Sequence, residues 1–161
     1  MPNVILTWLT NTFQIDEDLN ESDIESIQNF SLLWNVFEAN YSNRNFQLNT
    51  IEVRINQATF DIQDYQTYLE YFRNRYVTNG QLNQRFPHLR VPNNRNQLLT
   101  EVLLNNNPNL IVNQIVLALT IIVYRYRNNL FHGEKDIRRI RFQRDNFAQS
   151  NGFLMKIMDD L

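Results

Sequence analysis

An all-helical bundle is the fold class this sequence predicts, and three observations predict it. Breakers are scarce: the 161 residues hold three glycines and four prolines, so few positions force the chain out of a regular element. Apolar residues recur at three- and four-residue spacing over long segments, the period of a helix with one buried face. Apolar residues make up 43 % of the chain and aromatics 12 %, enough for a real core and too many for a disordered chain. The length suits one domain over 1–161, a four-helix-bundle core with extra short helices.

Taken in order, the first segment, roughly 3–13, is apolar on one side through Val4, Leu6, Trp8, Leu9 and Phe13. An acidic linker follows. The clearest helix is SDIESIQNFSLLWNVFEANY. Ser22 and Glu25 have the spacing of a capping box, and Ile27, Phe30, Trp34, Phe37 and Tyr41 form a stripe for the core. Residues 44–58 read as a further short helix. In DIQDYQTYLEYFRNRYVTNG, Asp61 is the expected cap, Ile62, Tyr65, Leu69, Phe72 and Tyr76 the stripe, and Asn79-Gly80 the expected stop.

The two prolines of QRFPHLRVPNNRN mark a loop of the kind that carries function, and NQLLTEVLLNN reads as a short helix after it. The longest helix is expected in NPNLIVNQIVLALTIIVYRYRNNLFHG, with Pro108 in its first turn after an Asn cap and Gly133 as its stop. It is apolar nearly all round, which places it at the centre. A last helix over about 141–161 closes the bundle with Phe147, Phe153, Leu154, Ile157 and Leu161, although Gly152 weakens it locally.

Several classes are excluded or disfavoured. The chain has no cysteine, which excludes disulfides, a thiol nucleophile and thiolate metal sites, and fits a reducing compartment. The stretch MPNVILTWLTNTF lacks the basic region and the small-residue cleavage site of a signal peptide. The longest apolar run, LIVNQIVLALTIIVY, is interrupted by Asn113 and Gln114 and is too short to span a bilayer comfortably. A soluble, cytoplasmic protein with no membrane partner is the expectation.

The net charge is −2, but it is unevenly spread. Residues 1–60 carry Asp16, Glu17, Asp18, Glu21, Asp23, Glu25, Glu38 and Glu52 against Arg44 and Arg54. Residues 124–144 carry Arg125, Arg127, Lys135, Arg138, Arg139, Arg141 and Arg144 against Glu134 and Asp136. Such a cluster suggests an anionic partner near it, although a solvated helix face gives the same pattern.

Within that cluster, RYRNNLFHGEK ends the longest apolar segment and places there one of the two histidines. Asn128 and His132 are four apart and share a helix face. Arg127 and His132 are five apart, about 140° in azimuth and about 7.5 Å along an ideal axis, a gap a long arginine side chain can close. Imidazoles titrate near neutrality and suit proton transfer. A guanidinium offers a fixed charge and a fork of donors that match phosphate oxygens. Arg127, Asn128 and His132 together suit binding or cleaving a phosphodiester. The blander account is a helix end with surface arginine and asparagine and a satisfied histidine. His88, in RFPHLR, is a candidate by residue type only, with a structural or solvent role favoured.

The string RNNLFHG at the end of a buried helix, with another helix after it, resembles the HEPN superfamily (higher eukaryotes and prokaryotes nucleotide-binding domain). Its motif is Arg, four to six residues, then His, often with Asn directly after the Arg. Here these are Arg127, Asn128 and His132, and the sharp match covers about 122–135. The resemblance implies an α-helical bundle that pairs about a two-fold axis, so that two motifs face each other. It implies metal-independent cleavage of RNA without a cofactor, in which the RNA's own 2′-hydroxyl attacks the adjacent phosphorus and leaves a 2′,3′-cyclic phosphate. His132 would be general base or acid, Arg127 would stabilise phosphoryl charge, and Asn128 would position the phosphate or the imidazole. Lys135, Arg138, Arg139 and Arg141 would hold the flanking backbone. A toxin or a defence or stress effector, with an antitoxin protein as a possible partner, belongs to the same implication. One departure stands out: members paired with a nucleotidyltransferase antitoxin often carry Tyr two residues after the His, where this chain has Glu134. Two other readings stay open, a non-catalytic RNA- or nucleotide-binding module and a purely structural dimerising domain.

Overall fold

The computed structural model describes residues 3–13, 15, 19–42, 44–132 and 137–161, the side chains of 137 and 138 excepted. Seven α-helices lie among them: α1 Val4–Phe13, α2 Glu21–Tyr41, α3 Leu48–Gln57, α4 Ile62–Tyr76, α5 Asn93–Leu104, α6 Val112–Phe131 and α7 Arg144–Asp160. Two two-residue strands, β1 Val77–Thr78 and β2 Gln81–Leu82, form an antiparallel hairpin. Short 3-10 segments cover Phe86–Leu89 and Ile137–Gln143. The fold is all-α, as the period of the apolar residues predicts.

Four long helices, α2, α4, α6 and α7, carry most of the core, and Ile51 and Ile55 of α3 and Leu99, Val102 and Leu103 of α5 are buried with them. Every residue of α6 from Val116 to Val123 is buried. Withdrawing a Leu, Ile or Val side chain from water contributes about 1.5–3 kcal/mol, so α6 is the element around which the others collect. Trp34 of α2 stacks on Tyr124 of α6 with ring centroids 5.8 Å apart. On the other side, Phe30 of α2 and Tyr126 of α6 both meet Phe147 of α7. Polar ties fix the register of α7. Asn151 Nδ2 donates to the Ser26 carbonyl at 3.0 Å, and the Tyr41 hydroxyl donates to the Met158 carbonyl at 2.9 Å. The Tyr65 hydroxyl reaches Asp160 Oδ2 at 2.6 Å. Gly152 sits under the Tyr68 ring, where a Cβ would meet ring atoms at 3.0 Å. The residue that weakens the helix locally is thus what lets α4 and α7 approach.

Several boundaries differ from the sequence reading, each for a local reason. α2 is capped by Asn20 rather than Ser22. Asn20 Oδ1 accepts from the Ser22 and Asp23 amides at 2.9 and 3.1 Å, and Asp23 Oδ2 accepts from the Asn20 amide at 3.0 Å. The reciprocal pair is therefore Asn20/Asp23, two residues earlier than Ser22/Glu25. α4 keeps Asp61 as its cap but stops at Tyr76. Asn79 and Gly80, both at positive φ (51° and 73°), turn the hairpin instead of ending the helix, as two consecutive left-handed residues do between short strands. α5 begins at Asn93, inside the stretch read as loop. α6 begins at Val112, not at Pro108. Asn107 ties 107–109 into a turn of its own, donating to Glu101 and accepting from the Asn109 amide. α7 begins at Arg144, the preceding 137–143 being 3-10.

The α1 stripe is corrected too. Val4, Trp8 and Phe13 are exposed. Only Leu6 and Leu9 pack inward, onto a small separate cluster of Ile15, Leu19, Ile24 and Ile140. No helix among the described residues is long and apolar enough to cross a membrane.

Candidate functional site

The end of α6 is a polar string on a buried helix, so its side chains must find partners or reach water. Arg127 is half-buried. Its Nη1 donates to Asn128 Oδ1 at 3.1 Å, and Nη2 lies 3.9 Å from Glu38 Oε2 of α2. Its guanidinium carbon sits 5.3 Å from the centre of the Phe131 ring, one helical turn on. The enclosed Nε has no hydrogen-bond partner among the described residues.

Glu38 is the residue that organises this corner. Its Oε2 accepts from Trp34 Nε1 at 2.9 Å and its Oε1 from the Phe46 amide at 3.0 Å. The sequence reading counted Glu38 only among the acids of the first third. Its role was not visible there because two of its partners, Phe46 and Arg127, lie outside its own helix.

Asn128 is buried and His132 is exposed. His132 closes α6, its amide donating to the Asn128 carbonyl at 3.0 Å, so the two residues keep the shared face expected of a four-residue spacing. The structure thus brings Arg127 and Asn128 into direct contact and leaves the His132 ring in solvent at the same helix end. Gly133, Glu134 and Lys135 lie outside the described residues, as does the Arg138 side chain. Arg139 is exposed. Arg141 is half-buried, with its guanidinium 4.6 Å from the centre of the Phe142 ring. The described residues contain no group of three or more His, Cys, Asp or Glu able to hold a metal ion.

Part of the charge asymmetry is internal. Arg127 of α6 pairs with Glu38 of α2, and Arg144 of α7 lies 3.9 Å from the buried Asp23 of α2. The acidic first third and the basic 124–144 stretch are in part each other's counterions.

The opposite face of α6 builds a second polar assembly. Arg125 Nε donates to the Leu89 carbonyl at 2.9 Å and Asn129 Nδ2 to the His88 carbonyl at 3.2 Å. Residues four apart on one face grip the 3-10 turn. Asn83 holds the hairpin to the end of α4, its Nδ2 donating to the Arg75 carbonyl at 2.9 Å and its amide to the Tyr76 carbonyl at 2.8 Å. These ties surround a cavity of about 300 Å³ lined by Arg75, Arg85, His88, Arg90 and Arg139, with Tyr76 and Tyr126 at its base. The two tyrosine hydroxyls are hydrogen-bonded to each other, and burial raises the pKa of both. The proline-containing loop supplies Arg85, His88 and Arg90 to the wall of this cavity. The partners it meets there, Arg75 and Arg139, were legible only once the hairpin was folded.

Comparison of the chain with protein-family models, with curated proteins and with solved structures finds no match.

Proposed function

We propose that this protein is a metal-independent RNA endonuclease of HEPN type, acting as a two-fold dimer in the cytoplasm. The observation that carries the reading is the end of α6. There an exposed imidazole at position 132 shares a helix end with an arginine and an asparagine already in contact, and the exposed guanidinium of Arg139 follows on the next segment. Phe131, 54 % exposed beside His132, offers apolar surface for a second copy to cover.

In the reaction the RNA 2′-oxygen bonds to the adjacent phosphorus while the bond to the 5′-oxygen breaks. His132 takes the 2′-hydroxyl proton, or supplies the proton that the departing 5′-oxygen needs. Arg127 offsets charge on the phosphoryl oxygens, and Asn128 holds Arg127 in place through its amide oxygen. Arg139 and Arg141, with Lys135 and Arg138, attract the flanking backbone irrespective of sequence. The role as a toxin or defence effector, held in check by an antitoxin protein, is part of this proposal.

Wild type and His132→Ala should be compared on structured RNA in the presence of a chelator. The expected result is cleavage with cyclic-phosphate ends by wild type and at least a hundredfold less by the variant. Equal cleavage by both would overturn the reading.

One observation favours a second reading, a non-catalytic RNA-binding module. Arg127 is already engaged by Asn128, Glu38 and the Phe131 ring, which suits a structural arginine as well as a phosphate clamp. RNA retained on a filter by wild type, lost in Arg127→Ala, with no cyclic-phosphate product would select it.

A further inference from the structure

We propose that the groove at the start of α6, walled by α3 and α5, docks an extended, uncharged polypeptide segment through one aliphatic side chain and the backbone amides beside it. The groove encloses about 560 Å³, within the range of about 300–1,000 Å³ that binding pockets occupy. Glu52 and Asn56 of α3 form one wall and Leu98 of α5 another, and Asn109, Ile111 and Gln114 line the side towards α6. Leu117, the lining residue furthest along α6, is still about 22 Å from His132 along the helix axis at about 1.5 Å per residue. The groove docks its segment whether or not that other helix end cuts RNA.

The walls are tied together before any ligand arrives. Asn113 Nδ2 donates to the Ile55 and Ala58 carbonyls at 2.7 and 3.1 Å, which fixes the start of α6 to the end of α3. Asn107 accepts from the Asn109 amide at 3.0 Å and donates to Glu101 Oε2 at 2.9 Å, which holds the approach to α6. Arg95 of α5 donates to both Glu52 and Asn49 of α3. A preformed groove spares the ligand the cost of ordering it. Position 111 breaks a local rule here. Ile111 is the N-cap of α6, makes no side-chain cap bond and is 59 % exposed. Ser, Thr, Asp and Asn are preferred at that position and aliphatic residues are not. An exposed isoleucine there serves neither the helix nor the core, and such local conflicts are expected where a surface has a function.

The lining selects the occupant. Its acid, Glu52, is paired with Arg95, so among the described residues the groove offers no uncompensated charge to draw a phosphate, a carboxylate or an ammonium. No aromatic ring among the described residues lines it, so a nucleobase has nothing to stack on. Carboxamides beside aliphatic surface are what it does offer. The Asn56 and Asn109 side chains are exposed and make no hydrogen bond to a described residue. Gln114 Oε1 accepts from the Ile111 amide at 3.0 Å, which leaves Nε2 as a donor. A carboxamide carries the donors and the acceptor of a peptide unit, so it pairs with a backbone N–H and carbonyl. Ile111, Leu98 and the buried Leu117 supply apolar surface that withdraws an aliphatic side chain from water. A folded partner covers about 20–30 residues a side, far more than this groove provides, which leaves an extended segment as the occupant.

A phage-displayed library of random peptides, selected on the immobilised full-length chain, is the probe. Enrichment of uncharged sequences that share an aliphatic residue is expected. A synthetic peptide of the enriched sequence, titrated by fluorescence anisotropy, is expected to bind Asn56→Ala/Asn109→Ala about tenfold more weakly than wild type, the loss of two neutral hydrogen bonds. Both positions are exposed, so the melting temperature is expected to stay unchanged. Ile111→Ser removes apolar surface while supplying a preferred helix cap, so weaker peptide binding by a variant at least as stable as wild type is expected. In nuclear magnetic resonance spectra the side-chain amide signals of Asn56 and Asn109 are expected to shift on titration, and that of Asn128 to stay. No enriched sequence, an enriched set that is charged, equal affinity for wild type and both variants, or shifts at Asn128 in place of Asn56 and Asn109 would each overturn the inference. Saturable binding of adenosine or uridine with the same amide shifts would overturn it as well, in favour of a base.

Discussion

At Glu38 one carboxylate accepts from two donors and faces a guanidinium at the same time. Removing it strands the Trp34 indole N–H and the Phe46 amide in a half-buried corner. Glu38→Ala is expected to destabilise the fold by about 2–3 kcal/mol, read from urea denaturation, with Glu38→Gln recovering part of the loss by keeping one acceptor. Because Glu38 also faces Nη2 of Arg127, the proposed function adds the expectation that either variant changes RNA cleavage along with stability. At this scale the sequence placed Arg127, Asn128 and His132 at one helix end, because residue type and spacing are local. It was silent on Glu38 as the partner and on Arg75, Arg85 and Arg90 as companions of Arg139. Those contacts close only when segments far apart in the chain meet.

Helix and hairpin boundaries follow from which side chain satisfies the free amides at each helix start. Asn20 fills that role for α2, and Asn20→Ala is expected to cost about 1 kcal/mol, whereas Ser22→Ala changes stability by less than about 0.5 kcal/mol. A larger loss in the serine variant would contradict the capping seen here. The existence of α2 and α4 was legible because the stripe of each repeats several times. The starts of α2 and α6 were not, since Asn20 and Ser22 are both acceptable caps by type, and Asn107 and Pro108 form a turn that resembles a helix start. The Asn79-Gly80 pair was read as a stop. Its flanking strands are two residues long, too short to show alternation, and the positive φ values alone distinguish a hairpin from a helix end.

Across the whole molecule the aromatic core sets a pH limit. Burial raises the pKa of the Tyr71 hydroxyl to about 12, and those of Tyr65, Tyr76 and Tyr126 are also raised by burial. An unfolded tyrosine ionises near 10, so above that value the unfolded chain holds fewer protons than the folded one. The tyrosine contribution to stability is therefore full below pH 10 and is lost as the pH rises from about 10 towards 12. Alkaline titration followed by circular dichroism should show a cooperative loss of helix in that window, and Tyr71→Phe should make the decline shallower.

The last turns of α6 face two ways. Arg125 and Asn129 hold the 3-10 turn, while Arg127 points to α2, about 160° away from both around the helix. That arrangement makes the stretch intolerant of length change. A single residue inserted between Arg125 and Arg127 would rotate everything beyond it by about 100°. It would misdirect Arg127 and Asn129 together, uncoupling the helix from the cavity wall and from the Glu38 corner in one step. Substitutions, by contrast, can silence either face alone.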